Sequence, residues 1–240
     1  MDLFINEIKL KTDILDADRQ QYPFNLSVVR NLDCLYLQSQ VTFLVGENGT
    51  GKSTLMEAIA VNYGFNPEGG SKNFNFSTNN THSDLYRFLI LSKGVKRPKD
   101  GFFMRAESFY NLASQIDRDP ELINSYGGKS LHAMSHGESF LKLISNRFWG
   151  EGLYVLDEPE AALSPQGQFA LLVFIAELAD SGSQFIISTH SPILMAYPGA
   201  QIYVLTESGI TLTPYQETEH YILTKQFLNQ PEGMLKQLLR

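Results

Sequence analysis

The sequence has very little cysteine. Cys34 is the only one among 240 residues, so the chain cannot form an intrachain disulfide. This usage fits a reducing compartment, and we expect a cytoplasmic protein. We expect Cys34 itself in a core strand, where it would pack as a small apolar residue.

Long apolar runs are also missing. The longest, residues 169–176, is too short to span a bilayer. The N-terminus contains Asp2 and Glu7 but no basic region, so it does not resemble a signal peptide. The sequence shows no internal repeat and no sustained heptad pattern, which argues against a repeat array or a coiled coil. We therefore expect no direct membrane insertion.

Positive charge is in deficit, with 19 basic residues against 26 acidic ones and a net charge of −7. This balance argues against a globally basic nucleic-acid-binding protein. Residues 87–105 nevertheless form a local basic segment, which contains six basic residues and one acidic residue, Asp100. It fits either a solvated loop or a contact with nucleic acid or an acidic partner. The six are Arg87, Lys93, Lys96, Arg97, Lys99 and Arg105.

What the sequence does contain is a phosphate-binding motif. Residues 46–53 read G-x-x-x-x-G-K-S. The β-branched and aromatic run at 41–45 predicts a buried strand before the motif, and the apolar spacing at 53–60 predicts a helix after it. Strand, glycine-rich turn and helix form the setting that a P-loop requires.

Each position of this loop has an expected role toward ATP. Backbone N–H groups of the loop would surround phosphate oxygens, and the helix N-terminus would add partial positive charge. Lys52 would reach the β- and γ-phosphates, and Ser53 would ligate Mg²⁺. The expected nucleotide-binding set is Gly46, Asn48, Gly49, Thr50, Gly51, Lys52, Ser53 and Thr54.

Two further predicted strands end in chemically useful side chains. The strand at 153–156 leads into Asp157 and Glu158, and the strand at 184–188 leads toward His190. Asp157 can help hold Mg²⁺, Glu158 can deprotonate an attacking water, and His190 can bond the γ-phosphate or that water. The alternatives are helix capping for the acid pair and a structural role for the histidine. Ligands in parallel sheets lie beyond the carboxyl ends of strands, where all three positions fall.

Ser135 and Glu138 precede an apolar-periodic segment. Ser at the N-cap with Glu three residues later is a capping box. The same helix N-terminus, with Ser135 and Gly137, can also receive a γ-phosphate from a second subunit. Both interpretations can hold together.

Alternating strands and helices predict an α/β fold with a largely parallel central sheet. Other expected strands are an edge strand at 4–11, further strand within 22–29, a strand at 101–105 and a hairpin at 202–213 around a turn at 208–209. Expected helices cover 83–91, 107–116, 137–149 and 164–179, with two helical pieces at the end broken near Pro231. Residues 62–80 are expected to be mainly loop.

Together these motifs resemble the ABC-type ATPases. Residues 46–53 match Walker A, residues 134–138 look like the signature motif, and 153–158 match Walker B. Residues 160–164 resemble the D-loop, and His190 the switch histidine. The resemblance implies a single P-loop NTPase domain over 1–240, with an antiparallel β subdomain and a small helical signature lobe at about 107–150.

The residues within these motifs are most similar to those of the stand-alone branch of that superfamily. This branch, broadly grouped with AAA family ATPases, includes DNA-repair and chromosome-maintenance ATPases and some phage-defence ATPases. Two departures stand out. His136 replaces the first signature glycine, and Glu107 stands near the position where a glutamine is expected.

The resemblance implies two copies packed head to tail around two ATP molecules. Lys52, Ser53 and Mg²⁺ would hold the phosphates of one copy, while Ser135 and Gly137 of the other complete the γ-phosphate shell. Glu158 would activate water and His190 would sense the γ-phosphate.

Three functions follow from these expectations. The main hypothesis is an ATPase that switches a nucleic-acid-repair or defence assembly, with DNA or a protein effector as partner. The alternative is the nucleotide-binding subunit of an ABC transporter. A non-enzymatic nucleotide switch is disfavoured, because both Asp157 and Glu158 are retained.

Overall fold

A computed structural model describes residues 2–15, 18–71, 83–105 and 135–239. Its strands are β1 Ile5–Leu10, β2 Cys34–Tyr36, β3 Val41–Gly46, β4 Leu89–Lys93, β5 Asp100–Arg105, β6 Gly152–Asp157, β7 Gln184–Ser188, β8 Gln201–Leu205 and β9 Ile210–Leu212. Its α-helices are α1 Ser27–Arg30, α2 Lys52–Tyr63, α3 His136–Arg147, α4 Pro165–Asp180, α5 Pro192–Met195, α6 Glu219–Asn229 and α7 Pro231–Leu238.

The larger sheet has the strand order β5-β6-β7-β3-β8-β9, and only β9 runs antiparallel to its neighbour. Strands β3, β6 and β7 are buried along their whole length. Both faces are therefore covered, as parallel sheets require. The predicted α/β class and largely parallel sheet are confirmed.

The smaller sheet is antiparallel, with the order β2-β1-β4. This is the antiparallel subdomain that the resemblance implied. The expectation that residues 4–11 form an edge strand is wrong, because β1 lies in the middle. Its exposed polar residues, such as Asn6, face outward while Ile5 and Ile8 are fully buried, so one solvated face looked like an edge.

Helix α2 packs between the two sheets. Leu55, Met56 and Ile59 share one apolar cluster with β1 and with one face of the parallel sheet. Helices α3, α4 and α5 cover the opposite face, where Phe140, Leu171 and Leu194 belong to a second cluster. The P-loop helix is thus held on two sides, which fixes the loop that precedes it.

Two local predictions are wrong. Within 22–29 there is no strand; Val28 and Val29 belong to the short helix α1, and the Val28 amide donates to the Thr50 carbonyl at 3.2 Å. Residues 84–88 form a 3₁₀ turn capped by Ser83, not an α-helix, and the chain then pairs with β1 as strand β4. In both places contacts with distant segments override local propensity.

Cys34 also differs from expectation, because it begins the edge strand β2 and is half-buried. The predicted helices at 137–149 and 164–179, the strand at 101–105, the hairpin and the two C-terminal helical pieces are confirmed. The predicted helix at 107–116, Glu107, much of the expected signature lobe and part of the 62–80 loop lie outside the described residues.

Candidate active site

The P-loop depends on glycine at two positions in particular. A Cβ on Gly46 would lie 2.3 Å from the Leu205 carbonyl oxygen of the adjacent strand. Gly51 has a φ of +97°, and a Cβ there would lie 2.7 Å from Val28 Cγ1. Left-handed backbone and close packing together leave room for no other residue type. The turn between β3 and α2 is therefore fixed in shape.

Lys52 lies at the first position of α2 and points back into the loop. Its Nζ donates to the carbonyl oxygens of Gly46 at 2.7 Å and Glu47 at 2.8 Å. Burial lowers the pKa of Lys52, and the nearby carboxylates of Glu158 and Asp157 oppose that shift. A buried ammonium held only by neutral carbonyls is well placed to receive phosphate oxygens.

A cavity of about 440 Å³ opens beside this loop. Its walls are the loop itself, the end of β8 and the start of α6; among the lining residues are Asn48, Gly49, Thr50, Thr206 and His220. Gly49 has a φ of +83° and is exposed toward this space. Ser53 and Thr54 lie in the first turn of the helix that follows.

Asp157 lies at the carboxyl end of β6, where the register places it opposite Ser188 of β7. Its Oδ1 accepts from the hydroxyl of Ser53 at 3.3 Å and from that of Ser188. Burial raises the pKa of Asp157, and the two hydroxyl donors oppose the shift. A carboxylate and a hydroxyl oxygen in contact offer the hard oxygen ligands that Mg²⁺ prefers.

These two oxygens fit a magnesium ion that also binds substrate. Within the described ranges, no group of three or more His, Cys, Asp or Glu side chains could hold a metal on its own. Mg²⁺ usually combines one or two protein oxygens with phosphate oxygens and water. Ser53 and Asp157 match that pattern.

Glu158 has an unusual backbone. Its φ is +51° and ψ 52°, a left-handed conformation that costs a residue with a side chain of order 1–3 kcal/mol. Its amide bonds to the Ser188 carbonyl at 3.1 Å and to the Ser188 hydroxyl at 3.2 Å, which holds it there. The side chain is thereby directed away from the strand and toward His190.

His190 follows β7 and faces three other ionisable side chains. Its backbone amide donates to Glu160 Oε1 at 2.6 Å, and its Nε2 lies 3.5 Å from Glu158 Oε1. Its Nδ1 lies 3.3 Å from Nε2 of His220. Burial lowers the pKa of His190, and the Lys52 charge lowers it further. Within the described residues Nε2 makes no hydrogen bond although it is buried.

The capping box at Ser135 is confirmed. The Ser135 hydroxyl accepts from the Glu138 amide at 3.3 Å, and the Ser135 amide donates to Glu138 Oε2 at 3.1 Å. Hydrogen bonds from Ser135 lower the pKa of Glu138. Gly137 packs against the segment after β6, because a Cβ there would lie 3.0 Å from the Ala162 carbonyl oxygen.

An open groove of about 470 Å³ runs between this helix start and the segment after β6. Ser135, Gly137, Leu163 and Ser164 line it. The groove belongs to one copy and does not include the P-loop. Ser135 and Gly137 are therefore not brought to the same site as Lys52, Asp157, Glu158 and His190, which all meet at one sheet edge.

Ser188 and His220 were missed by the sequence argument. Ser188 could have been noticed as a polar residue that ends an apolar strand, beside Asp157 in a parallel register. For His220 no sequence signal exists, because it lies 30 residues beyond His190 in an unremarkable helix.

The basic segment at 87–105 is largely paired with acids. Its ion pairs join Arg87 to Asp84, Lys96 to Asp2, Lys99 to Glu151, and Arg105 to Glu57. Lys93 lies over the Tyr63 ring, with Nζ 4.7 Å from the centroid. Asp100 in turn bonds Arg147 at 2.8 Å. The loop part of the solvated-loop interpretation is wrong for most of the segment, because residues 89–93 and 100–105 are strands β4 and β5. In the part of the chain that the structure describes, the acidic neighbours favour a solvated surface over a nucleic-acid contact.

No helix among the described residues is long and apolar enough to cross a membrane.

Two family models match parts of this chain, and several known proteins are similar to it in sequence. A model described as AAA ATPase domain matches residues 141–195, and one described as AAA domain matches residues 23–121. The cytochrome c biogenesis ATP-binding export protein CcmA of Vibrio vulnificus is 28% identical and covers 72% of this chain and 93% of its own. The cobalt import ATP-binding protein CbiO of Salmonella typhimurium is 26% identical over 78% of this chain and 74% of its own.

Solved structures agree on the fold. An ATP-binding cassette of an ABC transporter aligns with a TM-score of 0.50 at 15% identity, covering 95% of this chain and 98% of that one. At such low identity the likeness concerns the fold alone.

Proposed function

Since this chain is an ABC-type ATPase that binds and hydrolyses ATP, we propose that it works as a nucleotide-operated dimer, of the kind that drives a membrane transport component. Two copies pack head to tail and close on ATP. Hydrolysis reopens them, and that motion is passed to the partner.

One observation carries the site assignment. The P-loop, the acid pair and the switch histidine come from three distant segments, yet they meet at the carboxyl edge of β3, β6 and β7. Ligands in open parallel sheets bind at this edge. We propose one ATP domain over 1–240, with residues 46, 48–51 and 54 around the phosphates and Lys52 as their cation.

Ser53 and Asp157 are proposed to hold Mg²⁺. When bound, the metal neutralises charge that develops on the phosphate oxygens. Ser188 keeps Asp157 in place through its hydroxyl. The buried hydrogen-bond set around Asp157 keeps its Oδ1 next to the Ser53 hydroxyl.

Glu158 is proposed as the general base and His190 as the group that bonds the γ-phosphate. The left-handed backbone at Glu158 separates its carboxylate from that of Asp157, so one acid serves the metal and the other the water. His190 Nε2 makes no hydrogen bond in the described chain and lies 3.5 Å from Glu158 Oε1, so a phosphate oxygen can still bond to it. The charge of Lys52 acts on His190, and the Glu158 carboxylate acts on Lys52, so both side chains belong to the electrostatic surroundings of the P-loop lysine.

The second copy is proposed to supply Ser135 and Gly137. They lie at an exposed helix start beside an open groove, where anion binding is favoured. Because the groove lies apart from the P-loop of its own chain, a γ-phosphate can reach these residues only from another copy.

The partner is proposed from the relatives. Those named above act in import and export, which supports the transporter alternative over the nucleic-acid hypothesis. Acids lie beside four of the six basic side chains of residues 87–105, which weakens the main sequence argument for nucleic acid. We expect a membrane component to stay bound to this protein through detergent extraction. Adding that component should stimulate ATP turnover in proportion to its amount.

The dimer is tested with Glu158→Gln, which should keep ATP bound while turnover falls by roughly 10²-fold or more. With ATP and Mg²⁺, light scattering should show twice the mass seen with ADP. Adding Ser135→Arg to this variant should abolish the dimer, because the arginine fills the γ-phosphate position. Ser145→Arg, an exposed serine on the same helix, is the matched control and should still dimerise.

Lys52→Ala serves as the variant without tight nucleotide binding. An ATP-stable dimer of the Ser135→Arg variant would rule out the contact between copies. A monomer of Glu158→Gln with ATP bound would rule out the dimer itself.

A further inference from the structure

His220 lies in no motif, yet it contacts the switch histidine directly. It is the second residue of α6, whose N-cap Thr218 is buried and accepts from the Tyr221 amide at 3.4 Å. The Thr218 hydroxyl donates to the Tyr215 carbonyl at 2.7 Å. These bonds fix the start of the helix, and hence the position of the His220 ring.

The same helix start is tied to the segment that carries His190. The Tyr215 hydroxyl donates to the Pro192 carbonyl at 2.8 Å, two residues after His190. The two histidine rings meet with their centroids 5.5 Å apart and their planes tilted by 51°. A tilted contact of this kind suits a hydrogen bond between ring nitrogens better than stacking.

Both rings are expected to be neutral at pH 7. Burial is the main cause that lowers the pKa of His190, and burial likewise lowers the pKa of His220. A neutral imidazole has one N–H and one acceptor nitrogen. Only one ring of the pair can donate across the 3.3 Å between Nδ1 of His190 and Nε2 of His220.

The direction of that bond decides what His190 presents to the site. If His190 donated from Nδ1, its Nε2 would be a bare lone pair 3.5 Å from the Glu158 carboxylate. Two acceptors would then face each other, and the His190 Nε2 atom is itself shielded from water, which is unfavourable. If His220 donates instead, the His190 proton lies on Nε2 and faces both the carboxylate and the proposed γ-phosphate position.

We propose that His220 is a positioning residue, which donates from Nε2 to Nδ1 of His190 and so keeps the His190 proton on Nε2. This inference rests on the roles proposed above for His190 and Glu158. A hydrogen-bond partner behind a functional histidine sets both the tautomer and the orientation of the ring. Here that partner comes from the C-terminal helix.

The test separates hydrogen-bond donation from packing. His220→Gln places an amide N–H where Nε2 lies, so kcat should stay within about threefold of the unchanged protein. His220→Glu has the same length and only accepts, and His220→Asn has an amide that is too short. Both should lower kcat by about tenfold or more, the range seen when a supporting partner is lost, with little change in KM for ATP.

A double-variant series shows whether the effect passes through His190. In a His190→Ala background the difference between Gln and Glu at position 220 should disappear. Gln226→Ala, an exposed position on the same helix, is the control for changes in α6 and should leave kcat unchanged. Thermal unfolding of each variant confirms that the fold is intact.

The proposal would be overturned if the Gln, Glu and Asn variants at position 220 all had the same kcat, whether that kcat is normal or reduced. So would a Gln-to-Glu difference that persists without His190, because the charge would then act on its own. If His190→Ala itself keeps normal turnover, the role of His190 in the proposed function fails instead. The two failures are therefore distinguishable.

Discussion

At Asp157, the negative charge that Mg²⁺ binding would use lowers the stability of the folded protein. Burial raises its pKa above the ordinary value of 3.8, despite donors from Ser188 and Ser53. The folded protein therefore keeps a proton on Asp157 to a higher pH than the unfolded chain does. Stability falls as pH rises through the window between 3.8 and the raised pKa, because the unfolded state binds fewer protons there.

Asp157→Asn is accordingly expected to stabilise the nucleotide-free protein at pH 7. The amide oxygen can still accept from both serine hydroxyls, and no charge is buried. We expect a gain of about 0.5–2 kcal/mol in the free energy of unfolding, measured by urea denaturation. Magnesium-dependent ATP turnover should be lost.

Asp100→Asn is the matched control for that prediction. Asp100 is largely but not fully buried, and it accepts from Arg147 at 2.8 Å and from the Tyr154 hydroxyl at 2.9 Å. Removing its charge should lower stability, since a paired group loses its partner. If Asp157→Asn lost stability as Asp100→Asn does, ionised Asp157 would be a stabilising group and the pH argument would be wrong.

At this scale the sequence predicted which side chains meet at the sheet edge but not their backbone conformations. Motif spacing and strand ends placed Asp157, Glu158 and His190 together, because parallel strands bring their carboxyl ends to one edge. The left-handed backbone of Glu158 could not be predicted, since no local signal favours it in a glutamate. It is imposed by the hydrogen bonds that the Glu158 amide donates to the carbonyl and hydroxyl oxygens of Ser188.

Two glutamines connect the elements of the N-terminal region to the parallel sheet. Gln184 begins β7, and its side chain accepts from the amides of Phe4 and Ile5, both at 2.9 Å, and donates to the Ile5 carbonyl at 2.8 Å. Gln201 begins β8 and accepts from the amides of Gln38 and Ser39. The first set is buried, whereas the second is partly exposed to solvent.

Gln184→Ala should therefore destabilise the fold much more than Gln201→Ala. The first leaves three backbone groups buried without partners, each worth about 1–3 kcal/mol, and partial relaxation reduces the total to roughly 2–4 kcal/mol. The second lets water replace the side chain and should cost about 0.5–1 kcal/mol. Urea denaturation of the two variants, side by side, measures the difference; similar losses would contradict it.

The elements that sequence could not predict share one cause. Helix α1 and strand β4 are set by contacts with the P-loop and with β1, far away in the chain. Helices α3 and α4 were predicted because a capping serine and apolar spacing are local signals. The contact between His190 and His220 had no such signal, because it depends on where α6 begins in space.

At the scale of the whole molecule, charge pairing matters more than charge count. The segment 87–105 is rich in lysine and arginine, yet ion pairs with Asp2, Glu57, Asp84 and Glu151 offset most of it among the described residues. A net charge of −7 adds a repulsive background toward polyanions. The residues within the motifs favoured the nucleic-acid branch. The relatives and these ion pairs favour a transport partner instead.

We therefore expect ATP turnover that DNA does not change. Steady-state turnover is measured with and without single- and double-stranded DNA, at one low salt concentration of about 50 mM where phosphate contacts are strongest. Glu158→Gln serves as the blank. Stimulation by DNA that disappears when Lys96 and Lys99 are changed to Gln would contradict the transport proposal and restore the nucleic-acid hypothesis. Turnover unmoved by DNA would leave a protein partner as the group that gates the dimer, and a membrane component would be the first to test.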